Sequence, residues 1–350
     1  MNVTFSHAVI ESIAHVLPPK VLSSEAIEEQ LGALYKRLHL PLGRLELMTG
    51  IRERRIWEDD ILPSQASTEA ARKVLEKTSI PRERIDLLIH AAVCRDYLEP
   101  ATAAYVHHNL KLSSQTAFFD LSNACLGFLN AMALAASLID GGQIRSALIV
   151  SGENSKPLLD HTLNLLRDNN TITRREIKSY FANLTIGSAA VAALIVHESL
   201  LEKRFPRLQM RAMSLLSDSE GCDLCQGDRT ANNALAMETD SEALLHRGIQ
   251  LAENNWRQFL DYTKLSMDEI NHTICHQVGQ RHRTLLCQAL KLDPNRDLTT
   301  FPFLGNTGSV ALPITLSHAL ENELILSGEK IVLLGIGSGI SALSMFVEAL

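Results

Sequence analysis

A strand-like segment runs directly into a long apolar helix pattern at residues 116–140, TAFFDLSNACLGFLNAMALAASLID. Short apolar runs alternate with longer helical patterns along the whole chain, which is typical of an α/β protein. The predicted strands are 85–93, 147–151, 189–197, 273–276 and 331–336, and the predicted helices are 65–77, 101–110, 125–140, 241–262 and 308–323. The uncharged run Leu121–Ile139 is long enough for a membrane span, but its polar start and its alanines favour a buried helix.

The predicted elements follow a similar order in the two halves of the chain. The strand that ends at Cys94 is followed 31 residues later by Cys125, and the strand that ends at His276 is followed 30 residues later by Asn306. A helix, a glycine-containing turn and a further strand come next in each half. We therefore predict a fold of two similar halves, residues 1–200 and 201–350, divided within the charged stretch 198–207. Equivalent strand ends would then meet at one site, where ligands of α/β sheets bind.

Composition and charge exclude several classes of protein. The 350 residues are 46% hydrophobic and 21% charged, which is enough for a large core and excludes a disordered chain or a small disulfide scaffold. The net charge of −7 excludes a global basic surface for nucleic acid, so an anionic ligand needs a local basic patch. The N-terminal segment lacks a basic region followed by an apolar core, so we predict a cytoplasmic protein with reduced thiols and no membrane span.

Cys125 is the cysteine best placed for chemistry, because it lies at the change from strand to helix. A thiol at a helix N-terminus is near the positive end of the helix dipole, which favours the thiolate. The N–H groups of the first helical turn have no partner within the helix and can bind an oxyanion. A small buried core residue is the alternative, since that is the common role of a free cysteine.

The second half supplies two partners for such a nucleophile. His276 ends a predicted strand, and Asn306 in LGNTG stands at a predicted helix start. A nucleophilic cysteine needs a histidine to manage protons and donors to hold the developing oxyanion. Taken singly, the two residues could be a core histidine and a helix cap. The last strand runs into Gly335–Gly339, GIGSG, and because the chain ends soon afterwards we expect a loop that presents N–H groups, not a nucleotide site.

These motifs resemble the ketoacyl synthase III branch of the thiolase superfamily. The resemblance rests on NACLGF with Cys125, HQ with His276, GNTG with Asn306, the closing GIGSG, and the N-terminal AVIESIAHVLPPKV and TGIRERR, and it covers essentially the whole chain. It implies a thiolase-like five-layered α/β/α/β/α fold, a homodimer and a Cys–His–Asn triad. It also implies that Cys125 is acylated by a thioester, that its own N–H and that of Gly339 bind the first oxyanion, and that His276 and Asn306 bind the thioester carbonyl of the second substrate.

The residue at position 99 differs between two branches of this superfamily. Ketoacyl-ACP synthases III usually have Phe directly before Pro-Ser, whereas this chain has Glu99 before Pro100. Decarboxylative condensation needs no base, but condensation with an unactivated acyl chain requires removal of an α-proton, for which a carboxylate is a plausible base. VCRDYLEPATA and NACLGFLNA are similar to the head-to-head acyl-CoA condensing enzymes of long-chain olefin biosynthesis, in which this glutamate comes from across the dimer interface. The alternative is a solvated glutamate before a helix.

The segment after His276 also departs from the carrier-protein-dependent branch. Gly279 stands where that branch usually has Asn, while Arg281 is retained, which weakens the case for malonyl decarboxylation. Arg281 could bind the phosphates of coenzyme A or an acidic carrier protein. Arg283 is expected to be an ordinary exposed arginine. Further candidate phosphate contacts are Arg52, Arg54 and Arg55.

The sequence predicts an acyltransferase that condenses two fatty acyl-CoAs without decarboxylation, through an acyl-Cys125 enzyme, to a 2-alkyl-3-ketoacyl product. The alternatives are decarboxylative condensation of an acyl thioester with malonyl-ACP and a non-catalytic acyl-binding protein. The expected partners are long-chain acyl-CoA and a second copy of the chain, with acyl carrier protein or downstream pathway enzymes as further candidates. We expect no cofactor beyond the coenzyme A of the substrate. We also expect no metal, because Cys222-x-x-Cys225 is a single pair.

Overall fold

The computed structural model of the chain describes residues 1–58, 61–201, 207–229 and 235–350, so the predicted dividing stretch 198–207 lies partly outside the described residues. The strands in the described part are β1 (Asn2–Thr4), β2 (Ala8–Val16), β3 (Lys20–Ser23), β4 (Glu53–Ile56), β5 (Leu87–His90), β6 (Ala117–Asp120), β7 (Ser146–Glu153), β8 (Ala189–His197), β9 (Leu208–Ser217), β10 (Cys225–Arg229), β11 (Leu235–Thr239), β12 (His272–Cys275), β13 (Lys330–Gly337) and β14 (Ser341–Ala349). The α-helices there are α1 (Ser24–Gln30), α2 (Gly32–Arg37), α3 (Arg44–Thr49), α4 (Pro63–Lys77), α5 (Thr102–Leu110), α6 (Gly127–Asp140), α7 (Lys156–Asp168), α8 (Ile177–Thr185), α9 (Ser241–Thr263), α10 (Gln280–Leu290), α11 (Phe301–Leu304) and α12 (Ala311–Glu321).

Two groups of strands have the same order and the same pairing directions. In the first half the order is β6–β5–β7–β8–β2, with β5 parallel to both neighbours and β8 antiparallel to both. In the second half the order is β12–β13–β14–β9, with β12 parallel to β13 and β14 antiparallel to both neighbours. Asp297 forms a parallel bridge with Thr273 at the position that β6 occupies in the first half. The boundary between residues 200 and 201 stays a prediction.

The two groups are joined where β2 and β9 pair antiparallel. The registered pairs are Val9 with Gln209 and Ile10 with Leu208, so the strands form one continuous path. β8 lies between β2 and β7, and its sequence AAVAALIVH is buried up to the last residue. An unbroken apolar run is what a strand covered on both faces requires.

The helices form three layers around the two sheets. α6 and α12 contribute to the hydrophobic core between the sheets. α4 and α5 cover the outer face of the first sheet, and α9 and α10 cover the outer face of the second. This is the five-layered α/β/α/β/α arrangement that the sequence predicted.

The helix that follows Cys125 is apolar on nearly all sides. Phe128, Leu129, Ala131 and Met132 are buried, together with most of the residues after them. A helix of this kind belongs inside a protein, between two layers that both exclude water. No helix in the described part of the chain is both long and apolar enough to cross a membrane.

A smaller cluster of helices forms a cap beside the layers. Leu159, Leu163 and Leu166 of α7 pack there against residues of α1, α2 and α8. The leucines of α7, KPLLDHTLNLLRD, therefore contribute to the core of this cap.

Candidate active site

Cys125 lies in a tight turn just before α6, not inside the helix as predicted. The N–H of Leu126 donates to the carbonyl of Asn123 at 3.0 Å, and the N–H of Gly127 donates to that of Ala124 at 3.2 Å. Ala124 has a φ of +44°, a left-handed conformation that non-glycine residues adopt at a cost and that is often found at functional sites. The turn presents the thiol at the N-terminal end of α6.

The surroundings of the thiol keep it protonated in the free enzyme. Burial, with smaller contributions from the negative charges of Glu153 and Cys225, raises the pKa of Cys125 to about 12, while its own backbone N–H acts in the opposite direction. The helix N-terminus was expected to favour the thiolate, and in this site that expectation is wrong because desolvation is the larger effect. A thiolate therefore requires a substrate or a proton acceptor in the site.

Contacts between the halves bring the end of the second sheet to this turn. A Cβ on Gly337 would lie 3.0 Å from Cγ of Leu126, so this glycine makes room for the residue after Cys125. His276 follows β12, and its N–H donates to the carbonyl of Leu334 at 2.9 Å on the neighbouring strand β13. The turn with Cys125 and the residue after β12 thus both lie beside the carboxyl-terminal part of β13.

His276 is a buried, neutral imidazole. Burial lowers its pKa to about 3, with a smaller contribution from His282, whose ring meets it edge to face at a centroid distance of 5.9 Å. Within the described part of the chain, Nδ1 of His276 has no hydrogen-bond partner. A neutral imidazole with a free ring nitrogen can exchange a hydrogen bond or a proton with a ligand.

Asn306 is held with its amide nitrogen available. Its backbone N–H donates to the carbonyl of Thr185 and its carbonyl accepts from the N–H of Gly187, both at 2.9 Å. Its side-chain Oδ1 accepts from the N–H of Gly308 at 3.1 Å. Because the oxygen faces the backbone, the NH₂ group points away from that contact as a donor. The short helix at Gly308 has Thr307 as its N-cap, so the expectation that Asn306 is a helix cap is wrong; its oxygen closes a turn two residues long and its NH₂ group remains a donor for a ligand.

Sequence reasoning missed Glu153, the last residue of β7. Its carboxylate is buried and accepts from the N–H groups of Val93 at 2.9 Å and Cys94 at 3.1 Å. It also accepts from the N–H of Ser309 at 3.2 Å and from the Ser309 hydroxyl at 2.5 Å. The one available signal was a charged residue at the end of the apolar run SALIVSGE.

Glu99 lies on the surface of the single chain. It is exposed, and the neighbouring side chains Tyr97 and Leu98 are exposed too, the latter by 89%. Phe118 and Phe119 of the edge strand β6 are also partly exposed, by 43% and 37%. The structure thus places Glu99 in an apolar surface region and not among the buried groups around Cys125.

The other predicted binding residues have separate positions. Arg281 is exposed in the first turn of α10, and Gly339 lies in the turn between β13 and β14 with a φ of +121° that favours glycine. Arg54 is fully buried and donates to the carbonyls of Leu22 and Leu184, so the expectation that it could bind phosphates is wrong.

Arg283 was expected to be exposed, and this expectation is also wrong. Its Nε lies 2.6 Å from Oδ2 of Asp297, whose side chain has no exposed surface. The same carboxylate accepts from the N–H of Cys275 at 3.0 Å and from the hydroxyl of Thr273 at 3.2 Å. The ion pair of Arg283 and Asp297 thus holds β12, the strand that directly precedes His276, in place.

One cluster in the described residues has the side chains to hold a metal ion. The Sγ atoms of Cys275 and Cys287 and a carboxylate oxygen of Asp297 lie within 4.8 Å of one another. Asp297 is already bound to Arg283, so we assign the cluster a structural role. Cys222 and Cys225, at which no metal was expected, do not belong to such a group within the part of the chain that the structure describes.

Comparison with known proteins identifies similar chains. A sequence model of 3-oxoacyl-[acyl-carrier-protein (ACP)] synthase III matches residues 119–210, and one of the C-terminal part of the same enzymes matches residues 260–349. The acyl-CoA:acyl-CoA alkyltransferase of Shewanella oneidensis is 34% identical over 98% of this chain and 99% of its own, and that of Xanthomonas campestris pv. campestris is 36% identical over 96% and 97%. A beta-ketoacyl-[acyl-carrier-protein] synthase III of Aliarcobacter butzleri is 26% identical over 96% of both chains.

The fold is shared with solved structures. Crystal structures of Xanthomonas campestris OleA match with a TM-score of 0.93 at 34% identity, covering 99% of this chain and 98% of the other. An OleA variant with bound lauric acid and lauroyl-CoA matches with a TM-score of 0.92, covering 98% and 99%.

Proposed function

The chain belongs to the acyl-CoA:acyl-CoA alkyltransferase family, within the wider group of 3-oxoacyl-ACP synthases III, and from this premise we propose how its residues carry out the reaction. The enzyme is an acyltransferase that condenses two fatty acyl-CoAs head to head without decarboxylation. The observation that carries this function is the full-length identity of 34% and 36% to two alkyltransferases, against 26% to a carrier-protein-dependent synthase. That difference favours the condensation of two acyl-CoAs over the malonyl-ACP alternative.

In the first step, the Cys125 thiol attacks the carbonyl of one acyl-CoA. His276 has a ring nitrogen without a hydrogen-bond partner among the described residues, and we propose that it accepts the thiol proton and passes it to the departing thiolate of coenzyme A. The N–H groups of Cys125 and Gly339 stabilise the oxyanion of the tetrahedral intermediate. The products of this step are acyl-Cys125 and free coenzyme A.

In the second step, the carboxylate of Glu99 removes an α-proton from the second acyl-CoA. The resulting enolate is stabilised by hydrogen bonds from His276 and from the amide of Asn306, whose oxygen is already bound to the backbone. The α-carbon attacks the carbonyl of acyl-Cys125 and the C–S bond breaks. The leaving thiolate takes up the proton that Glu99 removed, so the thiol of Cys125 and the carboxylate of Glu99 are both restored. The product is a 2-alkyl-3-ketoacyl-CoA.

A homodimer explains the position of Glu99. The exposed edge strand β6 carries Phe118 and Phe119, and the Glu99 segment carries the exposed Leu98. An unpaired strand edge beside exposed aromatic side chains is suited to pairing with a second copy of this chain. Glu99 of one protomer would then enter the active site of its partner.

Arg281 is the proposed contact for the phosphates of coenzyme A, and we propose a cytoplasmic location.

One incubation tests the proposed function. The purified protein is given a single long-chain acyl-CoA and no malonyl donor, and free coenzyme A and β-keto product are measured. Coenzyme A release together with a β-keto product supports the proposal. Product that forms only after malonyl-ACP is added would overturn it, and protein that neither releases coenzyme A nor acylates Cys125 would indicate a non-catalytic binding protein.

A further inference from the structure

The buried carboxylate of Glu153 connects two chain segments that lead to different functional residues. Val93 and Cys94, whose N–H groups it binds, begin the segment that leads to Glu99. Ser309, which it binds through both its N–H and its hydroxyl, ends the segment that begins at Asn306. The Glu153 side chain therefore connects the loop that carries Glu99, the proposed base, to the loop that carries Asn306, a proposed hydrogen-bond donor to the enolate.

We propose that Glu153 is a positioning residue that fixes these two loops relative to Cys125. The inference rests on the proposed function, since it concerns the condensation step. If Glu99 acts in the partner protomer, each Glu153 serves two active sites: its own through Asn306 and that of the partner through Glu99.

The hydrogen-bond pattern explains why a carboxylate is required at this position. Four donors converge on two oxygens, and all four donors are uncharged groups. A carboxylate only accepts hydrogen bonds, whereas the NH₂ of a glutamine would face one of the N–H groups and leave it unpaired. Residue 308 also limits the space around the carboxylate, because a Cβ on Gly308 would lie 3.3 Å from Oε1 of Glu153.

The path of the first segment places this connection beside the nucleophile. A Cβ on Gly127, two residues after Cys125, would be 3.7 Å from the carbonyl of Ala91, two residues before Val93. The charge of Glu153 also contributes to the raised pKa of Cys125. Removing that charge should therefore change the titration of the thiol as well as the position of the loops.

Glu153→Gln and Glu153→Asp test the role, with Glu28→Gln as the matched control. Glu28 is another buried carboxylate that accepts from two backbone N–H groups and a hydroxyl, but it lies in the cap. Acylation of Cys125 by acyl-CoA is measured by mass, condensation by β-keto product, and the thiol by its alkylation rate against pH. We expect Glu153→Gln to lower condensation by about tenfold or more, with a smaller effect on acylation, and to move the alkylation profile to lower pH. Glu153→Asp should recover part of the condensation rate.

Ser309→Ala keeps the proposal testable if Glu153→Gln does not fold. It removes the hydrogen bonds of the Ser309 hydroxyl to Glu153 and to the hydroxyl of Ser151 but no charge, so we expect slower condensation with an unchanged alkylation profile. Equal losses in both steps, or an effect no larger than that of Glu28→Gln, would overturn the proposal. A wild-type protein that forms no β-keto product would refute the proposed function. The alkylation rate of Cys125 against pH can be measured without condensation, so the effect of the Glu153 charge on the thiol would still be tested.

Discussion

Leu126 fills the space that Gly335 leaves free by having no side chain. A Cβ at residue 335 would collide with Cδ2 of Leu126 and would also lie 3.0 Å from Cδ1 of Leu312. Since Leu126 follows the nucleophile directly, the end of β13 determines where Cys125 lies. The first glycine of the GIGSG motif thus has a packing role at the boundary between the two halves.

Gly335→Ala should reduce acylation of Cys125. The added methyl group must displace Leu126 or Leu312, at a cost of about 1–3 kcal/mol in the free energy of unfolding. Acyl-enzyme formation, followed by mass, and thermal unfolding measure the two effects. Gly32→Ala is the control, because a Cβ at residue 32 meets nothing within 4 Å and its φ is not positive. Unchanged acylation in Gly335→Ala would contradict the packing role.

Arg281→Ala should affect substrate binding and Arg283→Ala should affect stability, although the two residues lie in the same helix. Removing Arg283 leaves the buried carboxylate of Asp297 without its cation, and we expect a loss of about 3–5 kcal/mol in the free energy of unfolding. Removing the exposed Arg281 should leave stability unchanged and raise the KM for acyl-CoA. Denaturant unfolding and steady-state kinetics distinguish the two variants. A stable Arg283→Ala protein would show that Asp297 does not depend on its ion pair.

Acid should destabilise the protein through histidines that are kept neutral by burial, among them His276, His282 and His90. Burial lowers the pKa of His276 to about 3 and that of His282 to about 4, from an ordinary value of 6.5. Both imidazoles are neutral in the folded chain but protonate in the unfolded chain below pH 6.5. Their contribution to stability is therefore complete above pH 6.5 and is lost as the pH falls towards 3.

The midpoint of thermal unfolding, measured between pH 7 and pH 4, checks this dependence. The midpoint should fall with decreasing pH in the wild type, and the slope should be smaller in His282→Gln, which removes one of the histidines whose pKa is lowered by burial. Equal slopes in the two proteins would show that His282 does not contribute. His246, which is outside these contacts, provides the control variant His246→Gln.

Mixed dimers should reveal which protomer supplies Glu99. Cys125→Ala and Glu99→Gln proteins are each expected to be inactive in condensation, and Glu99→Gln should still form acyl-Cys125. After exchange of subunits, a mixed dimer has one site with an intact Cys125 facing an intact Glu99 from its partner. Random mixing in equal amounts should therefore restore about a quarter of the wild-type rate in a two-fold symmetric dimer. No recovery after verified exchange would indicate that Glu99 acts within its own chain or not at all.

The sequence predicted those elements whose environment is uniform along their length. β8 was predicted at 189–197 and observed over the same residues, because every position but the last is buried and the run is unbroken. The start of α6 was predicted at residue 125 but observed at Gly127. The left-handed backbone of Ala124 shifts the start, and an alanine gives no sign of that conformation.

The site was predicted only where residue type and position along a strand sufficed. Cys125, His276 and Asn306 stand at strand ends or helix starts, which spacing can reveal. Glu153 was missed because its importance comes from donors that lie 59–156 residues away in the chain. Arg54 was assigned to the surface because nothing local shows that its guanidinium donates to the carbonyl of Leu184.

The middle layer of the molecule belongs to neither half alone. α6 comes from the first half and α12 from the second, and α12 contacts β2 and β8 of one sheet as well as β12 and β13 of the other. A fragment ending at residue 200 would lack α12 and would expose the apolar inner face of its sheet to water. Such a fragment should aggregate when expressed alone and should become soluble only when the complementary fragment is produced in the same cell. Each half therefore needs the other to bury the inner face of its sheet.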